Sequence, residues 1–154
     1  MPDLITTYFG SVSYQPECVV EFPLGLPGFD EERRFLLIEQ ALNKPVVFLQ
    51  SLSRPELCFI TLPVTLICGT YELRLSPEDL ETLGLDRMPA SAGGPEVVSL
   101  AIVTFTEGGP PTANLLSPIV INWRRRVGIQ AVPADAPYSH QHPLFTGTRE
   151  VPCS

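Results

Sequence analysis

Short apolar segments, separated by Gly, Pro and polar residues, follow one another along most of the chain. They are rich in β-branched and aromatic residues, which favour strands. Tyr71, Leu73 and Leu75 alternate with charged residues, as in a strand with one buried face. Residues 97–105 are almost continuously apolar, which indicates a strand covered on both faces. The pattern predicts strands at residues 5–10, 18–22, 35–39, 46–51, 57–62, 69–75, 96–106, 114–123 and 127–132.

The clearest helix signal lies at residues 76–84. Ser76 suits an N-cap, Pro77 suits the first helical position, and Asp79 can complete a capping box with Ser76. Gly84 can take the left-handed conformation that ends a helix. We therefore predict a helix over Pro77–Leu83. A second short helical turn is predicted at residues 29–34, because their acidic start suits a helix N-terminus.

Residues 22–29, FPLGLPGF, predict a rigid apolar turn. Proline fixes its own φ angle, whereas Gly25 and Gly28 can adopt positive φ or allow a close backbone approach. We expect the side chains of Leu24, Leu26 and Phe29 to project from this turn.

The composition limits the possible folds. Of the 154 residues, 17 are Pro and 11 are Gly, which argues against a helix bundle, a coiled coil or a doubly wound α/β sheet. We predict a mostly β fold, an antiparallel barrel-like single domain with one or two short helices. The domain is expected to span residues 1–154, with a core at about 5–145 and a C-terminal tail at 146–154. No apolar run reaches the roughly 18 residues needed to cross a bilayer.

The charge balance bears on the class of partner. Ten basic and 17 acidic residues give a net charge of −7. This charge argues against direct nucleic-acid binding, which depends on neutralising phosphates, and it allows attraction to a basic partner. Solubility alone is the simpler explanation of the same charge.

The chain start and the cysteines indicate the compartment. Residues 1–10 lack the basic and apolar regions of a signal peptide, so we expect a cytoplasmic protein. None of the four cysteines forms a C-x-x-C pair, and in a reducing compartment they should be free thiols. Cys18 and Cys58 lie in apolar runs and are expected to be buried.

Catalytic and metal-binding signals are weak. His140 and His142 would share a face in a strand and could hold a metal with Cys153 or Asp135 as a third ligand. A solvated loop is the more ordinary interpretation, and we expect no metal, no cofactor and no enzymatic activity. The alternative is a small β-barrel that binds a ligand, or a metal-dependent enzyme, with its site near His140 and His142.

One basic cluster, Arg124-Arg125-Arg126, follows the predicted strand at 114–123. A charged turn is the ordinary interpretation. The alternative is a patch for an acidic partner or RNA, for which three residues are a small basis.

Three segments are more specific than composition. They are EFPLGLPGF at residues 21–29, LQS followed by P-x-L-x-F at 49–59, and TANLLSPIVIN at 112–122. Gly128, Gln130, Tyr138, His142, Pro143 and Leu144 follow in order. With these segments the chain resembles the flagellar assembly factor FliW family from about Phe9 to Leu144.

The resemblance implies a cytoplasmic β-barrel protein of flagellated bacteria that is not an enzyme. It implies two protein partners: flagellin, bound before export, and the basic RNA-binding translational regulator CsrA. Free protein would hold the regulator off its messages, flagellin mRNA among them, and accumulating flagellin would release the regulator again. We expect a monomer that binds neither nucleic acid nor membrane.

Acidic residues of the N-terminal third are the predicted partner-binding positions. We expect part of this surface to steer the basic regulator onto the protein. The alternative is that the run at 30–32 only favours a helix start. The positions are Glu17, Glu21, Asp30, Glu31 and Glu32.

Overall fold

Short strands make up most of the structure, a computed structural model that describes residues 2–146 and 149–150. The strands are β1 (Asp3–Thr6), β2 (Gly10–Ser13), β3 (Val19–Glu21), β4 (Arg34–Glu39), β5 (Val47–Ser51), β6 (Cys58–Pro63), β7 (Val98–Thr104), β8 (Thr112–Ala113), β9 (Ile119–Asn122), β10 (Val127–Gln130), β11 (His142–Pro143), β12 (Phe145–Thr146) and β13 (Arg149–Glu150). The helices are α1 (Val64–Ile67) and α2 (Pro77–Leu83), with 3-10 turns at Pro16–Cys18 and Ala41–Asn43.

Seven strands close into a barrel in the order β7-β6-β5-β4-β3-β10-β9, and β9 pairs back onto β7. The mostly β, barrel-like fold is therefore confirmed. One pairing departs from the antiparallel arrangement: β10 runs parallel to β3, with Val127 opposite Glu21. Closure leaves no free edge among these strands, which is how a barrel avoids exposing unpaired backbone groups.

Apart from the two-stranded β12–β13 sheet, two small additions lie outside the closed ring. Strands β8 and β11 extend the sheet beyond β7. The β1–β2 hairpin packs on the barrel through an edge-on contact of Phe9 with Phe48, with ring centroids 5.1 Å apart. Its turn is tied down because the Thr7 amide donates to the Pro55 carbonyl at 3.0 Å.

The core consists of three apolar clusters, and the segment at residues 97–101 contributes to all of them. Within β7, Leu100 belongs to the first cluster and Ala101 to the second, and Val97, directly before β7, belongs to the third. Neighbouring side chains of a strand point to opposite faces, so a strand with cover on both faces is apolar throughout. The expectation that residues 97–105 are covered on both faces is therefore confirmed for residues 97–103, whereas Thr104 and Phe105 are exposed.

Helix α2 forms as predicted. The Ser76 hydroxyl accepts a hydrogen bond from the Asp79 amide, and an Asp79 carboxylate oxygen accepts one from the Ser76 amide, both at 3.0 Å. Gly84 ends the helix at φ 73°. Within residues 2–146 and 149–150, no helix has the length and apolar content to cross a membrane.

The predicted strand at 69–75 is wrong. Tyr71 and Leu73 do face the second cluster, but the backbone here pairs with no strand. The Tyr71 hydroxyl donates to the Leu115 carbonyl at 2.6 Å, and its ring stacks on Tyr138 at 4.3 Å. The alternation identified Tyr71 and Leu73 as core-facing residues, but side-chain contacts rather than pairing with a neighbouring strand hold this segment in place.

Three further expectations need correction. Residues 5–10 run from β1 through a turn into β2 rather than forming one strand. Of residues 114–123, only Ile119–Asn122 is strand, because Asn114 accepts a hydrogen bond from the Ser117 amide and makes a turn. Residues 29–34 contain a turn, closed by the Glu32 amide on the Phe29 carbonyl at 3.0 Å, and no helix.

The cysteine predictions are confirmed in part. Cys18, Cys58 and Cys68 are free thiols, and Cys153 lies outside the described residues. Cys18 and Cys58 are half-buried, whereas Cys68 is the buried one. Burial raises the pKa of the Cys58 thiol to about 11, so this thiol is not a reactive nucleophile at neutral pH.

Candidate partner-binding surfaces

The turn at residues 22–29 is rigid for reasons visible in its backbone. Gly25 has φ +68° and Gly28 has φ +85°, so the predicted positive angles are confirmed. A Cβ at Gly25 would lie 2.6 Å from the Asp30 carbonyl oxygen, whereas one at Gly28 would meet open space. Leu26 and Phe29 close the turn, with the Phe29 amide donating to the Leu26 carbonyl at 2.7 Å.

The side chains of this turn divide between the core and the surface. Leu24 projects, with 66% of its surface exposed. Leu26 does not project as expected, because its side chain is buried in the first core cluster. Phe29 is half-buried and packs edge-on against Phe59, with centroids 5.6 Å apart. The turn is anchored from inside by Leu26, and Leu24 is its exposed leucine.

Glu32, which is buried, lies at the centre of a polar cluster with the buried Ser51 and the exposed Ser53 and Arg54. The Ser51 hydroxyl donates to its Oε2 at 2.8 Å, the Ser53 hydroxyl donates to the same oxygen, and the Arg54 guanidinium lies 3.9 Å from Oε1. The hydrogen bond from Ser53 lowers the pKa of Glu32, burial opposes this, and Ser51 and Arg54 lower it further. Glu32 therefore joins the turn at residues 29–34 to the end of β5 and to the loop after it.

The five predicted partner-binding acids do not form one acidic surface. Glu17, Asp30 and Glu31 are exposed. Glu32 is buried and hydrogen-bonded, so it is unavailable as a free surface charge. Glu21 is exposed but lines a groove that also contains three arginines. Asp30 and Glu31, which are adjacent and exposed, remain the best candidates for steering a basic partner.

The histidine pair is not brought together as a site. His142 is buried in β11 opposite Ala113, whereas His140 is exposed in the preceding turn. Asp135 pairs with Arg74 at 3.5 Å, and Cys153 lies outside the described residues. In the described part of the chain, no three His, Cys, Asp or Glu side chains cluster as metal ligands would.

The turn between β9 and β10 carries the three consecutive arginines. Asn122 is buried and donates from Nδ2 to the Leu83 carbonyl at 2.7 Å. Its Oδ1 accepts a hydrogen bond from the Arg124 amide at 3.1 Å. The last residue of the PIVIN segment thus fixes the arginine turn to the end of α2, and the charged turn predicted here is present.

An apolar pocket of about 290 Å³ lies beside the barrel, with the half-exposed ring of Trp123 in its lining. Leu37, Val47 and Leu100 provide the apolar lining, and Glu39 and Lys44 contribute charges. Sequence reasoning missed this pocket, because its lining residues come from strands far apart in the chain. A tryptophan placed directly after a strand was the one available signal.

Comparisons with known proteins agree with one another. The profile of the FliW protein family matches residues 3–144. The flagellar assembly factor FliW of Geobacillus kaustophilus is 34% identical over 143 residues, with 92% of this chain and 94% of that protein covered. The protein of the same name from Bacillus subtilis is 31% identical over 140 residues, with 90% and 94% covered.

A solved structure supports the same assignment. The crystal structure of a flagellar assembly factor FliW superposes with a TM-score of 0.82 at 32% identity. The superposition covers 96% of this chain and 100% of that one. These relatives are named as assembly factors rather than as enzymes. The closed barrel, the matched segments and these similarities together show that the chain belongs to the FliW family of flagellar assembly factors.

Proposed function

We propose that the protein acts in the cytoplasm as a flagellar assembly factor that works by binding and not by catalysis. Its partners are flagellin and a CsrA-type RNA-binding translational regulator. Free protein holds the regulator off target messages such as flagellin mRNA, and flagellin in excess displaces the regulator. The observation that carries the proposal is the family match across residues 3–144.

The electrostatics of the chain support a basic partner. The net charge is −7, Leu24 is exposed on the rigid turn at residues 22–29, and Asp30 and Glu31, which follow that turn, are also exposed. A basic protein that binds here would find both exposed carboxylates and an exposed apolar side chain. Charges of this kind raise the association rate, and salt screens them over about 8–10 Å.

Titration with purified partners tests the proposal. We expect the protein to bind flagellin and the regulator when each is added alone. We also expect it to release a labelled flagellin leader RNA from the regulator, and added flagellin to restore the RNA complex. Absence of binding to both partners at micromolar concentrations would refute the proposed function.

A charge-neutralising pair locates the regulator surface. In Asp30→Asn/Glu31→Gln we expect slower association with the regulator at low salt, little change in dissociation, and an unchanged melting temperature. The matched control is Glu78→Gln/Glu81→Gln, which removes the same charge from exposed positions of α2. Equal association rates for the two variants would contradict a role for the 30–31 pair.

A further inference from the structure

Five arginines lie around the β9–β10 turn, and we call them the arginine surface. Two adjoining grooves contain them, of about 610 Å³ and 350 Å³, and Arg125 lines both. Within residues 2–146 and 149–150, these five make no ion pair, in contrast to Arg54 and Arg74. They are Arg34, Arg87, Arg124, Arg125 and Arg126.

This concentration of unpaired positive charge stands out in a chain of net charge −7. Carboxylates lie near enough to line the same grooves, namely those of Glu21, Asp86 and Glu96. None of them pairs with the arginines in the described structure. The guanidinium groups therefore keep their donors available for a ligand.

The turn that carries these arginines is held in place from several sides. The Arg126 carbonyl accepts a hydrogen bond from the Glu21 amide at 2.9 Å, which fixes the turn to β3. Asn122 fixes it to the end of α2, as described above. The Arg125 side chain lies across Gly84, where a Cβ would come within 2.6 Å of its Cδ. A preorganised turn loses less conformational entropy when it binds a partner.

We propose that the arginine surface docks an acidic segment of a protein partner. Guanidinium groups bind carboxylates in pairs of parallel hydrogen bonds, which suits Asp and Glu side chains. Apolar side chains of the segment would pack in the grooves, against Leu85 and Pro95 on one side and Val19 and Leu52 on the other. The proposal does not rest on the proposed function, because it is argued from the arginine surface alone and its test uses neither flagellin nor the regulator.

A protein segment fits this surface better than RNA. RNA carries a phosphate at every nucleotide, and the groove carboxylates together with the overall negative charge would repel such a continuous array. A polypeptide can place neutral or basic residues opposite Glu21, Asp86 and Glu96 and acidic residues opposite the arginines. The mixed lining thus selects a segment with spaced acidic side chains.

The test uses a fluorescein-labelled peptide in which Glu alternates with Leu. Comparison ligands are the same peptide with Gln for Glu and a single-stranded RNA of similar length. We expect the acidic peptide to bind at low salt, to weaken as salt rises, and to bind more tightly than either comparison ligand. No binding of the acidic peptide, equal binding of the Gln peptide, or tighter binding of the RNA would overturn the proposal.

Paired variants assign the binding to this surface. In Arg124→Gln/Arg125→Gln we expect at least about tenfold weaker peptide binding, because each charge-assisted hydrogen bond is strong. The control Arg33→Gln/Lys44→Gln removes the same charge from exposed positions away from the grooves and should stay within about twofold of wild type. Equal losses in both variants, with both folded by circular dichroism, would show nonspecific attraction and overturn the proposal.

Discussion

Two turns of the molecule each carry three like charges in a row, but the turns differ in whether these charges are buried or exposed. In Asp30-Glu31-Glu32 the third carboxylate turns inward and accepts hydrogen bonds from Ser51 and Ser53. In Arg124-Arg125-Arg126 all three side chains are exposed, and the order of the turn comes from Asn122. A run of charge in a sequence thus leaves open whether a given charge is structural or free to bind.

The difference follows from what each turn packs against. The acidic turn lies against the end of β5 and the loop after it, where the hydroxyl groups of Ser51 and Ser53 donate hydrogen bonds to the buried carboxylate. Carboxylates line the grooves beside the arginine turn, but in the described structure none of them forms an ion pair with its guanidinium groups. Four experiments test this contrast, in decreasing order of expected effect.

Truncating Leu26, which anchors the turn at residues 22–29 in the core, should give the largest loss of stability. Leu26→Ala removes a buried side chain from the first core cluster and should lower the free energy of unfolding by about 2–5 kcal/mol. Leu24→Ala, on the exposed side of the same turn, should change it by less than about 0.5 kcal/mol. Chemical denaturation measures both. Similar values for the two variants would mean that the turn is not anchored from inside.

Replacing Gly25 or Gly84 by alanine compares two kinds of steric clash. The new Cβ meets backbone atoms at the first position and a side chain at the second. Gly25→Ala should cost roughly 3 kcal/mol, because its Cβ meets the Asp30 backbone at 2.6 Å at a positive φ. Gly84→Ala should cost only about 1–2 kcal/mol, because there the Cβ meets the Arg125 side chain, which can move. Thermal melting of both variants provides the measurement. The contrast fails if Gly84→Ala is the more destabilising change.

Removing one charge from each run should affect stability unequally. Glu32→Ala leaves the buried Ser51 hydroxyl without its acceptor and should cost about 1–3 kcal/mol. Arg124→Ala removes an exposed, unpaired charge and should change stability by less than about 0.5 kcal/mol. Urea denaturation measures the free energy of unfolding of both variants. Equal losses would mean that the acidic charge is no more important for stability than the arginine charge.

The pH dependence of stability should reveal the same carboxylate. The folded-state pKa of Glu32 lies below its ordinary value of 4.5, so its contribution is present above pH 4.5 and is lost as the pH falls through the folded-state pKa. Wild type should therefore lose more stability below pH 4.5 than Glu32→Gln does. Denaturation curves at several acidic pH values measure the difference. Parallel pH profiles would show that Glu32 is not held in its charged form.

The sequence was sufficient to predict features whose contacts lie within a few residues of one another. The helix at Pro77–Leu83 was predictable because Ser76, Asp79 and Gly84 act on backbone groups within the same few residues. The positive φ angles at Gly25 and Gly28 were predictable because Pro and Gly restrict and release the backbone at their own positions. The barrel strands followed from short β-branched segments, and the family segments identified the chain.

Only the tertiary structure decided which segments pair and which charges are buried. Ser51 and Glu32 are 19 residues apart, and Asn122 reaches a carbonyl 39 residues away, so no local pattern contains either contact. Residues 69–75 alternate like a strand yet have no neighbouring strand to pair with, because the barrel closes without them. Hydrogen-bond partners distant in the chain are supplied by folding, and they determine whether a carboxylate or an arginine is held in the structure or remains free to bind.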